Sequence, residues 1–480
     1  MSPDDLIIPL KEELAGVVKQ VTEEALQYFS SLDDRLIRNH SIREIVDSFD
    51  IPFPEDGQGT NQTLIKLFED GIKISVASSG PRFFHFVVGG VTPAAFGAEW
   101  LSVVLDQIAY AYVTSPLAVK LELVSLNWLK DIFEIPKSWS GIMTTGATMA
   151  MYVGLISARQ WYGEQFGIDV FDEGIASLGK VPIFASDILH ASGTKVLAML
   201  GFGANAIRKV PDNSTGIFDV VELEKQLREL NGPSIIVAVA GEPNAGLFDP
   251  IPELIELAEK YNAWLHIDGA FGLFAKILPS TKQLLRNSHR ARSISVDGHK
   301  WLNVPYDCGF GFVSDPSMMT KSFRYSAEYL PDPTDEEPVL GVMGPESSRR
   351  ARSLSVWATL HAYGKSGLRH LIDQNMSQAR YLHNLVTESD KLEALIDVVI
   401  NVVCFRFNPG GKSEDELNEI NTELGNAILT DGRVFLGTTT FQGKVALRPA
   451  MVNWRTTESD IKFMVDVILE LGNNIVSRTR

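Results

Sequence analysis

SISVDGHKWLNVP, residues 293–305, is the stretch whose reading decides the fold. A short apolar run ends at Asp297-Gly298, and His299-Lys300 follow at once. The run has the length of a buried strand, and the glycine marks its end. A lysine just past the carboxyl end of such a strand faces the crevice where open α/β sheets bind ligands. An amine held there can form an imine with an aldehyde cofactor. By itself a His-Lys pair is only a loop lysine, so the neighbouring runs carry the decision.

Upstream, AWLHIDGAFG (263–272) places Asp268 at the end of a second apolar run. Pyridoxal 5′-phosphate (PLP) chemistry needs a carboxylate against the pyridine nitrogen, so that the ring can absorb electrons released at Cα. The plain alternative is an aspartate capping a helix start. A strand-end Asp and a strand-end Lys in successive βα units match the geometry that the cofactor requires. GIMTTGATMAMYVGL (141–155) runs from a strand-like start through Gly146, Ala147 and Thr148 into a helix. Backbone N–H groups and hydroxyls at a helix N-terminus make a phosphate seat. In ASDILHASGTKVLAMLG (185–201), His190 lies between a short strand and a helix, where its ring can stack on a cofactor.

The wider pattern is α/β. Apolar runs at 181–186, 234–240, 263–268, 293–297 and 310–314 alternate with helical stretches. This predicts βαβ units and a mostly parallel sheet. Residues 1–80 read mainly as helices, and residues 93–133 as two long helices split near Ser115-Pro116. Residues 320–346 are polar and proline-rich and read as a long, lid-like loop. Beyond 350 two helices precede short strands near 397–407 and 444–448, a smaller α+β unit. The expected organisation is a helical segment at 1–80, a large α/β domain at 81–346 and a small C-terminal domain at 347–480.

Composition narrows the classes. The formal charge of −17 argues against nucleic acid as a partner. Two cysteines in 480 residues make no disulfide framework and fit a reducing compartment. The start, MSPDDLIIPLKEELAG, lacks the basic, continuously apolar character of a signal peptide. No apolar run reads as long enough to span a bilayer. The expectation is a soluble, cytoplasmic protein.

The order of these segments resembles the PLP-dependent decarboxylases of group II, the family of the aromatic-L-amino-acid, histidine and glutamate decarboxylases. The likeness runs from PRFFHF at 81 to LRPAMVNWRTTESDI at 447–461, and includes H-x-S-x-x-K, HIDGAFG, D-x-H-K-W and S-R-R-x-R-S-L. It implies fold type I (aspartate-aminotransferase-like) and a homodimer with the active site at the subunit interface. By this resemblance Lys300 is the Schiff-base lysine, and Asp268 pairs with the pyridine nitrogen. Ala270 packs on the ring, His190 stacks over its other face, and Ala147, Thr148 and His299 help to hold the phosphate. Tyr329 matches the loop tyrosine that protonates Cα once CO2 has left, with Tyr325 as a nearby competitor. Arg349 resembles an arginine near the substrate carboxylate, with Arg350 and Arg352 as rivals.

Phe84 and His85 in PRFFHF are candidates for the substrate side-chain pocket. The expected reaction is decarboxylation of an aromatic or other apolar L-amino acid to an amine. Transamination and aldehyde synthesis stay open because the same Lys–Asp pair supports them. A non-catalytic dimeric binding protein is the reading from another class. The chain also departs from the family. Glu242-Pro243 stands where many members carry two threonines, and Asp297 where asparagine is frequent. A carboxylate beside a phosphate is repulsive unless it is paired or turned away.

Overall fold

The computed structural model describes residues 3–39, 42–212, 214–325, 328, 334 and 337–478. The chain opens with helix α1 (Pro3–Ser31). Helices α2 (Pro93–Leu105) and α3 (Pro116–Phe133) both begin on proline, whose missing N–H is no loss in a first turn. The split predicted near Ser115-Pro116 is a ten-residue connection, 106–115. It starts where Asp106 turns left-handed and closes α2.

The large sheet follows. Its strands and main helices in chain order are β1 (Ser140–Thr144), α4 (Ala147–Glu164), β2 (Ile183–Ala185), α5 (Ala191–Met199), β3 (Ile207–Lys209), α6 (Val220–Leu230), β4 (Ser234–Val239), α7 (Ile251–Lys260), β5 (Ala263–Asp268), β6 (Ser293–Asp297), β7 (Gly309–Val313) and α8 (Pro316–Phe323). The seven strands lie in the order β1-β7-β6-β5-β4-β2-β3. β2 to β6 are parallel to one another, whereas β7 runs antiparallel between β1 and β6.

The strands read as unbroken apolar runs because helices cover both faces. Along β4, Ile235, Val237 and Val239 pack under α4 with Met151 and Leu155. The alternate residues, Ile236 and Ala238, pack on the other face with Leu254 of α7 and Leu129 of α3. Each valine, leucine, isoleucine or methionine among them contributes about 1.5–3 kcal/mol when fully buried. β3 was not foreseen. It is a three-residue edge strand whose Arg208 and Lys209 are exposed, so no apolar run marks it.

The two helices expected after 350 form one run, α9 (Ser353–Glu388), interrupted at Gly364 with φ 61° and ψ −175°. Only glycine adopts that conformation readily. Before the break and just after it, Val356, Leu360 and Ile372 pack on the large sheet; further on, Leu382 and Val386 join the core of the small one. That small sheet is antiparallel, ordered β10-β11-β9-β8. It comprises β8 (Leu392–Ala394), β9 (Phe405–Phe407), β10 (Thr438–Phe441) and β11 (Lys444–Leu447), with α10 (Glu414–Asp431) and α11 (Glu458–Arg478) packed against it. A capping box of Ser413 and Glu416 starts α10.

The predicted loop begins after α8 and is tied down at its far end, where Val339 bridges to Ala111 and the Gly341 N–H donates to the Tyr110 carbonyl. Tyr329 lies outside the described residues. Among the described residues, no helix is long and apolar enough to cross a membrane. Cys308 and Cys404 are both buried and unpaired with each other.

Candidate active site

Four chain segments meet at one edge of the large sheet. Asp268 ends β5, and Lys300 follows the end of β6. Gly146 and Ala147 join β1 to α4, and His190 is the N-cap of α5 after β2. These strands share one direction, so their carboxyl ends converge. They enclose a cavity of about 660 Å³. Lys300, Asp268, Ala270, His190, Ala147, Thr148 and His299 all line it.

The charges in the cavity are arranged in a definite way. Asp268 is 5% exposed, and its Oδ1 accepts the Ala270 N–H at 3.1 Å. Burial raises its pKa, and the nearby Lys300 ammonium pulls the other way. Lys300 Nζ lies 2.9 Å from Asp297 Oδ2. The other Asp297 oxygen accepts the Ala147 N–H in the first turn of α4. The carboxylate that departs from the family pattern is therefore paired, and it occupies a helix N-terminus suited to an anion.

Gly146 makes that approach possible. Its φ of 156° and ψ of 178° are open to glycine alone. A Cβ there would sit 3.3 Å from Asp297 Oδ1 and 3.4 Å from His299 Cε1.

Both cavity histidines are held neutral, chiefly by burial, which lowers their pKa values. The His190 Nδ1 accepts the Ser192 N–H at 3.2 Å, which leaves the ring proton on Nε2. His299 stacks on Tyr306, with ring centroids 4.1 Å apart.

The substrate-side candidates are placed elsewhere. Arg349 is buried behind β1, 3.0 Å from Glu122, and donates to the Met143 carbonyl at 2.9 Å. Both side chains of the pair are 1% exposed, and neither residue lines the cavity. The guanidinium is already neutralised, so its role there is to lock α3 to β1. Removing one partner of such a pair strands the other charge. Arg349→Ala is expected to destabilise the chain by roughly 3–5 kcal/mol, read by urea denaturation.

Arg350 faces Glu99, and Arg352 is 2.6 Å from Asp307. Tyr325 donates to the Tyr110 hydroxyl at 3.0 Å and is not in the cavity wall. Phe84 is in the core of the small sheet, and His85 packs against Gly437. The reason is local. Phe84 N–H donates to the Phe435 carbonyl, and the chain then turns through left-handed Phe86 (φ 55°) and Val87 (φ 59°). That turn brings Phe86 and Val87 to the wall instead.

The wall has one arginine that the sequence reading did not single out. Arg448 follows β11 and donates to the Pro243 carbonyl at 3.1 Å. A charge directly after an apolar strand end was the available signal, the same one that marked Lys300. Glu242 also lines the wall, but its carboxylate closes a turn by accepting the Asn244 and Ala245 N–H groups.

These residues fit PLP. An amine and a buried carboxylate face one cavity, a neutral imidazole flanks them, and a glycine-opened helix N-terminus offers N–H donors. The comparisons agree. Residues 46–408 match the pyridoxal-dependent decarboxylase conserved domain. The aromatic-L-amino-acid decarboxylase of Bacillus atrophaeus is 29% identical over 453 residues, covering 93% of this chain and 90% of that protein. The phenylacetaldehyde synthase of Petunia hybrida is 28% identical, covering 77% and 76%. In fold, the crystal structure of Oryza sativa TDC with PLP and tryptamine superposes with a TM-score of 0.89 at 22% identity, covering 97% of this chain and 98% of that one. The chain belongs to the pyridoxal-dependent decarboxylase family, as a PLP-dependent amino-acid carboxy-lyase.

Proposed function

We propose that this enzyme decarboxylates an aromatic or other apolar L-amino acid to the corresponding amine and CO2. The observation that carries the reading is the single cavity joining the Lys300 amine to the buried Asp268 carboxylate. When bound, PLP supplies a ring that takes up the electron pair left as the carboxylate departs.

The chain's own residues do the rest. Lys300 would hold the cofactor through its ε-amine. Asp268 would pair with the pyridine nitrogen and keep it protonated, and His190 would stack on the ring. Ala147 and Thr148, at the start of α4, hold the phosphate together with His299. Arg448 supplies the wall's guanidinium and takes the carboxylate-facing part first expected of Arg349. Phe86, Val87 and Phe271 make the wall partly apolar, which suits an apolar substrate. Burial of the substrate in the cavity would exclude water from the scissile bond. Tyr329 would supply the proton that Cα takes up.

The test is product analysis by mass spectrometry after incubation with a panel of amino acids. An amine lighter than one panel member by one CO2 supports the reading and names the substrate. An aldehyde product is the second reading, favoured by the likeness to the Petunia phenylacetaldehyde synthase. Tyr329→Phe is expected to move the product from amine towards aldehyde; unchanged amine output would remove Tyr329 from the mechanism.

Asp297 gives a separate expectation. Its carboxylate takes the Ala147 N–H at the start of α4, the helix end proposed to hold the phosphate, so Asp297→Asn would relieve a like-charge contact. Affinity for PLP relative to phosphate-free pyridoxal should rise about ten-fold in the variant, by absorbance titration. The pyridoxal reference cancels any change at Lys300.

The assembly we infer is a homodimer with the cavity at the interface. Leu101, Val103 and Val104 on α2 and Phe86 at the cavity are exposed apolar side chains suited to burial by a second copy. Sedimentation at the mass of two chains is the expected result.

A further inference from the structure

Asp268 is the last member of a chain of side chains lying on one face of β5 and β6. Trp264, His266 and Asp268 alternate along β5, and Ser293 and Ser295 along β6. The parallel register sets His266 beside Ser293 and Asp268 beside Ser295. Trp264 Nε1 is 2.8 Å from Ser293 Oγ, which is 2.8 Å from His266 Nδ1. His266 Nε2 is 3.2 Å from Ser295 Oγ, which is 3.5 Å from Asp268 Oδ1. The last link is the longest. Helix α4 covers this face. At Gly154 a Cβ would come within 2.6 Å of His266 Nδ1, so glycine is what lets the helix lie on the ring.

The direction of the chain follows from its first member. An indole N–H can only donate. Ser293 Oγ therefore accepts from Trp264, and among the described residues its own hydrogen has only His266 Nδ1 as acceptor. The imidazole proton is then on Nε2 and points to Ser295 Oγ. The Ser295 hydrogen is left for Asp268. Reversing the chain would strand the buried Ser293 hydrogen and deprive Asp268 of a donor.

We propose that Trp264, Ser293, His266 and Ser295 form a one-way hydrogen-bond relay that commits Ser295 to donate to Asp268 and so holds that carboxylate in its charged form. They are positioning residues, and the proposal rests on the reading of Asp268 as partner of the pyridine nitrogen. Two facts support it. Burial raises the Asp268 pKa, and the hydrogen bond from the Ala270 N–H opposes that rise, as a second one donated by Ser295 would. Burial also brings the His266 pKa down to about 3, so the ring stays neutral and the direction holds across the working pH range.

The experiment compares PLP with its analogue carrying carbon in place of the pyridine nitrogen, both titrated into the cofactor-free full chain. Ser295→Ala should weaken PLP about ten-fold and leave the analogue unchanged. Ser295→Thr, which keeps the hydroxyl, should restore PLP binding. Asp268→Asn is the reference. If it fails to separate the two cofactors, the underlying reading of Asp268 is wrong. If it separates them and Ser295→Ala does not, the relay is wrong. A measurement on the unaltered protein needs no variant to fold. Nitrogen NMR of labelled histidines should show His266 as the Nε2–H tautomer, and an Nδ1–H signal overturns the proposal.

Discussion

Lys300→Ala is expected to abolish covalent retention of the cofactor and to lower turnover by roughly a thousand-fold or more. The amine stands past the end of β6, 20% exposed and held by Asp297 at 2.9 Å. Lys195 is the other amine in the cavity wall, one turn into α5. Borohydride reduction of the loaded enzyme followed by peptide mapping distinguishes the two. The cofactor's mass should be found on the peptide containing residue 300, and a tag on residue 195 would reassign the role. Lys300→Arg separates charge from chemistry. It keeps a cation beside Asp297 yet offers no amine to the cofactor, so it should be as inactive as alanine while retaining the thermal stability of the parent.

Asp268→Asn is expected to reduce kcat on the order of a hundred- to a thousand-fold and to weaken cofactor binding. The exchange keeps the size and the acceptor for the Ala270 N–H but removes the negative charge. Its effect on stability has the opposite sign. Burial raises the folded-state pKa of Asp268 above its ordinary value, so the folded chain binds that proton more readily than the unfolded chain does. The stability tied to that preference is present at low pH and is lost as pH rises through the folded-state pKa. Asparagine does not ionise and avoids the loss. The cofactor-free variant should therefore melt higher than the parent at neutral pH and match it in acid. Thermal scans of both proteins at the two pH values check this. A gain in stability with a loss of activity is the signature of a group kept for function.

Much of the site was legible because each main residue stands at the end of a short apolar run. Asp268 after AWLHI, Lys300 after SISVD and Ala147 after the β1 segment announce themselves in one dimension. The relay behind Asp268 was in plain view in the same two runs, as the alternating polar residues of AWLHID and SISVD. Its direction was not, because that depends on which side chains touch across the sheet. Arg349 misled for a related reason. Its sequence neighbourhood resembles a substrate-facing arginine, yet Glu122 on α3 meets it inside the core. A pairing between residues so far apart in the chain is decided by helix packing, and no local pattern reports it. The two helices expected after 350 are found on either side of the break at non-helical Gly364, and they serve two cores, Val356 packing on the large sheet and Leu382 on the small one.

The amino-acid sequence by itself determined the α/β class, the cofactor and the identity of the main residues that line the cavity. These follow from strand periodicity and from what stands at each strand's carboxyl end, and both are local. Tertiary structure decided which arginine faces the cavity and which is buried against a carboxylate. It also decided that the charge of Asp297 is balanced by Lys300 and the start of α4, and that a buried tryptophan orients the hydroxyl at Asp268. Electrostatic pairing and hydrogen-bond direction fall off within a few ångströms, so they belong to whichever side chains the packed fold brings into contact.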